Sequence, residues 1–300
     1  MDAERSRRRA LRRRFDRVAG GFDKAALLDA EVGARMRDRL DYIRLAPARI
    51  VDVGAGTGRD LRELAARYPG ASRLAVDASL GMLRRAQASR GMVSRLLGRG
   101  TLAVCADARH LPLAASSVDL VWSNLALHWI DDPMAALREF ARVLRPEGLV
   151  MFSAYGPDTL RELADASSRV PGGSRVRGFP DMHDLGDMLV EAGFSNPVMD
   201  AERLTLTYAD AKAFFADLRA TGQSAGGLHG GAGGLHGGAG GLSGRARLAA
   251  LAEALDARRE GGRLAIGFEV SYGHAWKGVP KRTPEGHAII RADFPRRPRH

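Results

Sequence analysis

The densest chemistry in the sequence is a turn. Gly54-Ala55-Gly56-Thr57-Gly58 is entered from the β-branched run Ile50 to Val53 and left by the helix-forming stretch Arg59 to Arg67. Glycines at alternate positions allow a tight bend and a close ligand approach, and the N–H groups opening the following helix face an anion or polar group. A dinucleotide turn of the G-x-G-x-x-G type needs glycine at position 59, where this chain has Arg59. The pattern is instead D-x-G-x-G-x-G, beginning at Asp52. A second acid, Asp77, closes the next apolar run. A carboxylate there accepts both hydroxyls of a ribose and repels a 2′-phosphate. A third, Asp107 in Ala106-Asp107-Ala108, stands where a side chain can take an adenine amino group. Three ordered strand ends carrying Asp52, Asp77 and Asp107 read as a nucleoside site more strongly than as three turn caps.

Such a site must be carried by alternating strands and helices. Short β-rich runs recur at Arg49 to Val53, Leu74 to Asp77, Leu102 to Cys105, Val118 to Ser123 and Leu149 to Ala154. Between them lie amphipathic stretches such as Pro133 to Leu144, which Arg145-Pro146-Glu147-Gly148 stops before the next strand. Further helices are predicted at Asp158 to Ser168 and Met182 to Ala192, and two more strands at Val198 to Tyr208 and Leu264 to Trp276. The fold class is therefore α/β: a seven-stranded, mostly parallel sheet with helices on both faces. Residues 1–45 read as an N-terminal helical segment on the lid or substrate side. Residues 46–300 read as the main domain, with an insertion at 209–262 before the last strand. The insertion holds a glycine-rich heptad repeat, 225–245, expected to form a mobile surface loop because glycine loses most entropy on ordering. Its His229 and His236 are better explained by tandem duplication than by metal binding, and no metal is expected.

The cofactor signature resembles class I, Rossmann-like methyltransferases, specifically the branch with Val118-Asp119-Leu120-Val121 and Leu144-Arg145-Pro146-Glu147-Gly148-Leu149. The resemblance implies S-adenosylmethionine as cofactor and S-adenosylhomocysteine as product. Carried over by position, Gly54, Gly56 and Gly58 surround the methionine portion and Asp77 takes the ribose, with Asp52, Ala55 and Ala78 also among the cofactor-binding positions. Met82 packs on the adenine ring, Asp107 and Ala108 face its edge, and Asn124 lies beside the amino-acid end. Other segments resemble malonyl-acyl-carrier protein O-methyltransferases of biotin synthesis: Arg14-Phe15-Asp16-Arg17 with Phe22-Asp23, the stretch Leu28 to Leu40, Ser123 to Trp129, Phe179 to Asp187, Pro197 to Asp200 and Tyr272 to Trp276. The chain departs from that family at Phe22, where tyrosine is usual, at His128, where glutamine is usual, and in its glycine repeat.

The second resemblance implies methylation of the free carboxylate of malonyl-acyl-carrier protein, or of malonyl-coenzyme A, giving the ester that primes pimeloyl synthesis. A carboxylate is ionised at neutral pH, so alignment and water exclusion suffice and no general base is required. Positioning candidates for the acceptor are Arg14, Arg17, His128, His183 and His274, with His128 foremost because it follows the fourth strand. Trp129, Tyr155 and Trp276 are candidates to line the acceptor cleft, and Phe15 with Phe22 to form a lid. The N-terminal pattern also resembles a complex I assembly factor that hydroxylates a protein arginine. A quinone or phenol methyltransferase, using His128 as base, and a cofactor-binding regulatory module complete the alternatives.

Composition narrows the partners. The formal charge is +11, of which residues 1–17 carry +5 and residues 277–300 another +5, so the body is nearly neutral. Such ends attract acidic partners, here the carrier protein. Arginine outnumbers lysine 42 to 4, which is equally a sign of compositional bias. No interleaved aromatics accompany the charge, and no nucleic-acid partner is expected. No window approaches the roughly 18 apolar residues of a membrane span, and no signal-like apolar run follows the basic start. A cytoplasmic protein without stable membrane insertion is expected. Cys105 is the only cysteine, which excludes an internal disulfide; a buried structural thiol is expected there.

Overall fold

The computed structural model describes residues 2–88, 101–170, 178–223 and 242–279. Seven strands, β1 (Arg49–Val53), β2 (Ser72–Asp77), β3 (Leu102–Cys105), β4 (Val118–Ser123), β5 (Leu144–Tyr155), β6 (Phe194–Tyr208) and β7 (Leu264–Lys277), form one sheet in the order β3-β2-β1-β4-β5-β7-β6. The pairings from β3 across to β5 are parallel. The last strand, β7, inserts antiparallel between β5 and β6. This is the expected seven-stranded, mostly parallel α/β arrangement.

Burial follows position in the sheet. Every residue of β4 is buried, as an apolar run between two helical layers must be, whereas β6 at the edge alternates along its length. On one face Val51, Val53, Val121 and Val150 pack under α6 (Pro133–Val143) and α8 (Met182–Glu191). On the other, Ile50, Leu120, Trp122 and Met151 pack under α3 (Leu27–Arg39), α4 (Arg59–Arg67), α9 (Ala211–Ala220) and α10 (Leu242–Asp256). The start of α6 is set locally: the Asp132 side chain accepts from the Ala135 N–H, and Pro133 occupies the first turn. The remaining helices are α1 (Asp2–Val18), α2 (Phe22–Ala25), α5 (Leu80–Ala88) and α7 (Arg161–Ser168).

The N-terminal helices are fastened to the sheet rather than hanging from it. Leu28, Val32 and Met36 of α3 are core residues. The Ser79 hydroxyl donates to Asp16 of α1 at 2.6 Å, the Gly81 N–H to the same carboxylate at 2.7 Å, and Arg85 to the Gly20 carbonyl at 2.7 Å.

Three expectations are corrected. Arg145 to Gly148 do not precede β5 but belong to it, as an irregular start where the register to β4 shifts and Glu147 takes φ +65°. Likewise β6 begins at Phe194, not Val198: an edge strand tolerates Pro197, and Asn196 at φ +51° absorbs a register shift. Cys105 is exposed, because β3 is the other edge strand and its side chains lie open. The glycine repeat lies outside the described residues except for 242–245, which are helical in α10. The basic C-terminal stretch beyond residue 279 also lies outside them. No described helix is long and apolar enough to cross a membrane, and no metal-type cluster of His, Cys, Asp and Glu occurs among the described residues.

Candidate active site

Chain order reverses between β1 and β4, and the crevice outside the carboxyl ends of strands at such a point is where open α/β sheets bind ligands. A cavity of about 640 Å³ opens there. Its floor is the glycine turn. Gly54 (φ +79°), Gly56 (+51°) and Gly58 (+75°) all occupy the left-handed region that glycine alone enters freely. The Gly54 and Ala55 N–H groups donate to the Val76 carbonyl at 2.8 and 3.1 Å, and Gly56 donates to Asp77 Oδ2 at 2.9 Å. A Cβ on Gly54 would fall 2.2 Å from that of Ala126, but one on Gly56 would meet nothing within 4 Å. Gly56 therefore presents bare backbone to the cavity.

The acids divide by strand geometry. Asp77 ends β2 in the cavity, with Oδ1 also accepting from the Ser79 N–H at 2.7 Å. Burial pushes its carboxyl above the ordinary range against those two N–H groups, and neighbouring Asp16 adds to the rise. Asp52 does not line the cavity; side chains alternate along β1, and Asp52 is turned to the Ile50 face, where burial, Asp60 and Asp77 push its carboxyl well up. Gly58 does not line it either, serving instead as the N-cap of α4.

Asp107 reaches the cavity already engaged. Its Oδ1 accepts from the backbone and Nε of Arg109, each at 3.0 Å, and its Oδ2 from Arg109 Nη2 at 2.8 Å and Arg8 Nη1 at 3.0 Å. These bonds, Arg109 foremost, hold its carboxyl far below the usual range. Ala78, Ala108 and Met82, the last 1% exposed, complete this end. At the opposite end Asn124 donates to the Asp29 carbonyl and to Asp60 Oδ2, both at 2.9 Å, and accepts from Ser153 Oγ at 2.8 Å. Leu125 follows at φ +46°, a strained backbone held by its N–H to Ser153 Oγ at 2.9 Å.

The roof is α1. Arg5, Arg8, Arg9 and Arg12 face the cavity at i, i+3, i+4 and i+7, joined by Leu11 and Phe15. Arg14 and Arg17 fall off that stripe and do not line it: Arg17 is exposed, and Arg14 is half-buried with an unpartnered Nη1. The stripe has a plain helical signature, but within an arginine-rich segment it is easily taken for composition. The Arg8 pairing with Asp107 and the clamp by Arg109 have no signature in local spacing.

Phe15 meets Trp129 edge to face, centroids 5.5 Å apart, and with Phe22 both line the cavity. His128 does not. The turn Leu127–Trp129 is a 3₁₀ helix, which rotates about 120° per residue, so Trp129 enters the cavity while its neighbour swings away. His128 stacks on Tyr155 at 4.2 Å and lines a second cavity of about 330 Å³ with Phe179 and Leu185; Ile130 and Asp131 border both. Tyr155 is fully buried, its hydroxyl accepting from Gln223 at 3.0 Å, and does not line the main cavity. His183 is exposed beside the helix-capping Asp181. His274 and Trp276 lie within β7 opposite Met151 and Leu149. The structure thus brings together Gly54, Ala55, Gly56, Asp77, Ala78, Met82, Asp107, Ala108, Asn124 and Trp129, and leaves apart Asp52, Gly58, Arg14, Arg17, His128, Tyr155 and His183.

These groups fit an adenosyl amino acid. The open backbone at Gly56 admits a close approach, and Asp77 offers acceptors for hydroxyls.

The family described as "Methyltransferase domain" matches residues 51–152. A malonyl-acyl-carrier protein O-methyltransferase of Gallionella capsiferriformans is 46% identical over 96% of this chain and 97% of its own. One from Laribacter hongkongensis is 47% identical over 93% and 94%. Among solved structures, a putative methyltransferase of Bacillus halodurans matches with TM-score 0.57 at 16% identity, covering 82% of this chain and 99% of that one, a likeness of fold.

Proposed function

The chain belongs to the malonyl-acyl-carrier protein O-methyltransferase family, and from that premise we propose that its large cavity holds S-adenosylmethionine at the glycine turn and the free carboxylate of a malonyl thioester under α1. The enzyme transfers a methyl group from S-adenosylmethionine to malonyl-acyl-carrier protein. The ester is then suited to prime pimeloyl synthesis for biotin, as the sequence resemblance implies. The observation that carries the reading is one continuous cavity in which the glycine turn, Asp77 and Asp107 lie under α1, whose Arg5, Arg8, Arg9 and Arg12 face it together with Phe15 and Trp129.

Bound S-adenosylmethionine supplies a methyl group already activated on a sulfonium. The chain's residues supply position. Asp77 takes the ribose hydroxyls, while Met82, Ala78 and Ala108 enclose the adenine. Asp107 takes the adenine amino group, a role that requires Arg8 to release one of its acceptor positions. Gly54, Ala55 and Gly56 offer backbone to the methionine part, beside Asn124. Phe15, Phe22 and Trp129 exclude water, and cavity-facing arginines of α1 orient the acceptor carboxylate. No proton need move, since that carboxylate arrives ionised. A phenol acceptor would need a base, and His128, the residue for that task, faces the second cavity instead.

Arg5 and Arg9 border the cavity mouth without an ion pair among the described residues, which suits them to draw in an acidic carrier protein. Raising salt from about 50 to 500 mM shortens the screening length from more than 10 Å to a few Å. The KM for malonyl-acyl-carrier protein is expected to rise several-fold with kcat nearly unchanged, and Arg5→Ser/Arg9→Ser to flatten that dependence. Flat salt dependence in the wild type would remove the steering role. Turnover with malonyl-coenzyme A in parallel separates the thioester from the carrier as the recognised part.

A further inference from the structure

Among the acids that border the large cavity without a part in these assignments, one has an acceptor position left open. Asp29 stands in the first turn of α3 and lines the cavity with Asp60 and Asn124. The residue as a whole is half-buried, but its Oδ2 is sealed from solvent and accepts no hydrogen bond. A buried carboxylate with an open acceptor position is costly until a donor, best a cationic one, meets it.

Its place is well defined. Asn124 Nδ2 donates to the Asp29 carbonyl at 2.9 Å. One turn on, Gly33 brings α3 so close that a Cβ would fall 2.4 Å from Asp60 Oδ1 and 2.9 Å from Asn124 Nδ2. That corner is fixed: Asp60 is taken by Arg37 at 2.8 Å, by Asn124 at 2.9 Å and by the Trp122 indole at 3.3 Å. Asp29 is the acid left over. The corner lies at the amino-acid end of the proposed cofactor position, and the cofactor carries two cationic centres. The sulfonium has no N–H to donate; the α-ammonium has three.

We infer that Asp29 accepts a hydrogen bond from the α-ammonium group of the cofactor's methionine part, so that α3, outside the sheet, holds one end of S-adenosylmethionine. This rests on the cofactor reading above. Burial pushes the Asp29 carboxyl up to about 6, against its own backbone N–H and Arg59, with Asp60 and Asp217 adding to the rise. Tyr155 of β5 also faces it. A carboxyl raised above its unfolded value destabilises the ligand-free fold once it ionises, so that contribution worsens as pH rises from about 4 through 6. A cationic donor reverses the balance.

The test is calorimetry with S-adenosylmethionine, S-adenosylhomocysteine and 5′-methylthioadenosine, which keeps the nucleoside and sulfur but lacks the amino acid. In Asp29→Asn the first two are expected to weaken about 10- to 100-fold, the scale of one charge-assisted hydrogen bond, and the third to bind as in the wild type. Below pH 6 the wild type is expected to lose S-adenosylhomocysteine affinity more steeply than Asp29→Asn. The comparison matters because Asp77 titrates in both. Without ligand, the variant is expected to melt higher at pH 8, by roughly 2–4 °C. The inference is overturned if S-adenosylmethionine alone weakens, which would set the acid against the sulfonium. Equal weakening of 5′-methylthioadenosine, which would make it a pocket-shaping residue, overturns it too, as does no change at all. A wild-type chain that binds none of the three removes the cofactor reading itself, and this role with it.

Discussion

Asp77→Ala is expected to abolish measurable binding of S-adenosylmethionine while the chain still unfolds cooperatively. Two hydroxyl hydrogen bonds to a carboxylate contribute about 1.5–3 kcal/mol each, so their loss weakens affinity by about 10²- to 10⁴-fold. The fold has less to lose. Burial already raises the Asp77 carboxyl, so its ionised form is a strain on the empty protein at neutral pH. What the variant does give up is the tie from β2 to the Gly56 and Ser79 N–H groups. Asp77→Asn keeps a carbonyl oxygen for one of these and loses the charge, so it is expected to fall between wild type and alanine. Unchanged affinity in either, measured by calorimetry, would show that the ribose lies elsewhere.

The glycine turn yields a contrast between neighbours. Gly54→Ala is expected to destabilise the protein by about 2–4 kcal/mol, from left-handed strain at φ +79° together with overpacking against Ala126. That lowers the melting temperature on the order of 5–10 °C. Gly56→Ala carries only the strain of φ +51°, about 1 kcal/mol, because the space beyond it is open. Its methyl group would stand where a ligand approaches the backbone, so cofactor affinity is expected to fall at least tenfold with little change in melting. Thermal unfolding and calorimetry on the two variants separate the effects. A Gly56→Ala protein that binds normally would mean that the turn only shapes the backbone.

The sheet was readable because parallel strands buried on both faces are largely apolar runs: β1 and β4 begin and end where those runs do, and β3, though an open edge strand, is bounded by a short run of its own. The lining of the cavity near the glycine turn was readable because glycines and acids recur at strand ends, which local spacing records. Less was legible wherever the third dimension decides. Asp52 stands in the motif yet faces α4, because pleating sets its side. His128 and Trp129 are adjacent in sequence, but a 3₁₀ turn sends them to different cavities. Asp29 has no motif, and only the packing of α3 on Asn124 brings it to the site. The α1 stripe was present in the spacing all along, hidden among other arginines.

Arginines of α1 and acids of the strand ends share one cavity. Under the proposed function the acceptor carboxylate is drawn to the arginines and the cationic cofactor to the acids, so charge complementarity aligns the reacting atoms. Alignment of that kind is worth several kcal/mol of barrier without proton transfer. The Arg8 bond to Asp107 ties the arginine-bearing helix to the cofactor side, since α1 is fastened to the residue proposed for adenine.

The most direct measurement is transfer itself. The purified chain is incubated with methyl-labelled S-adenosylmethionine and malonyl-acyl-carrier protein, and the labelled carrier is treated with mild alkali. Methyl transfer to the carboxylate puts label on the carrier that alkali releases in volatile form as methanol. Label that survives alkali, or a carrier that acquires none, would contradict it.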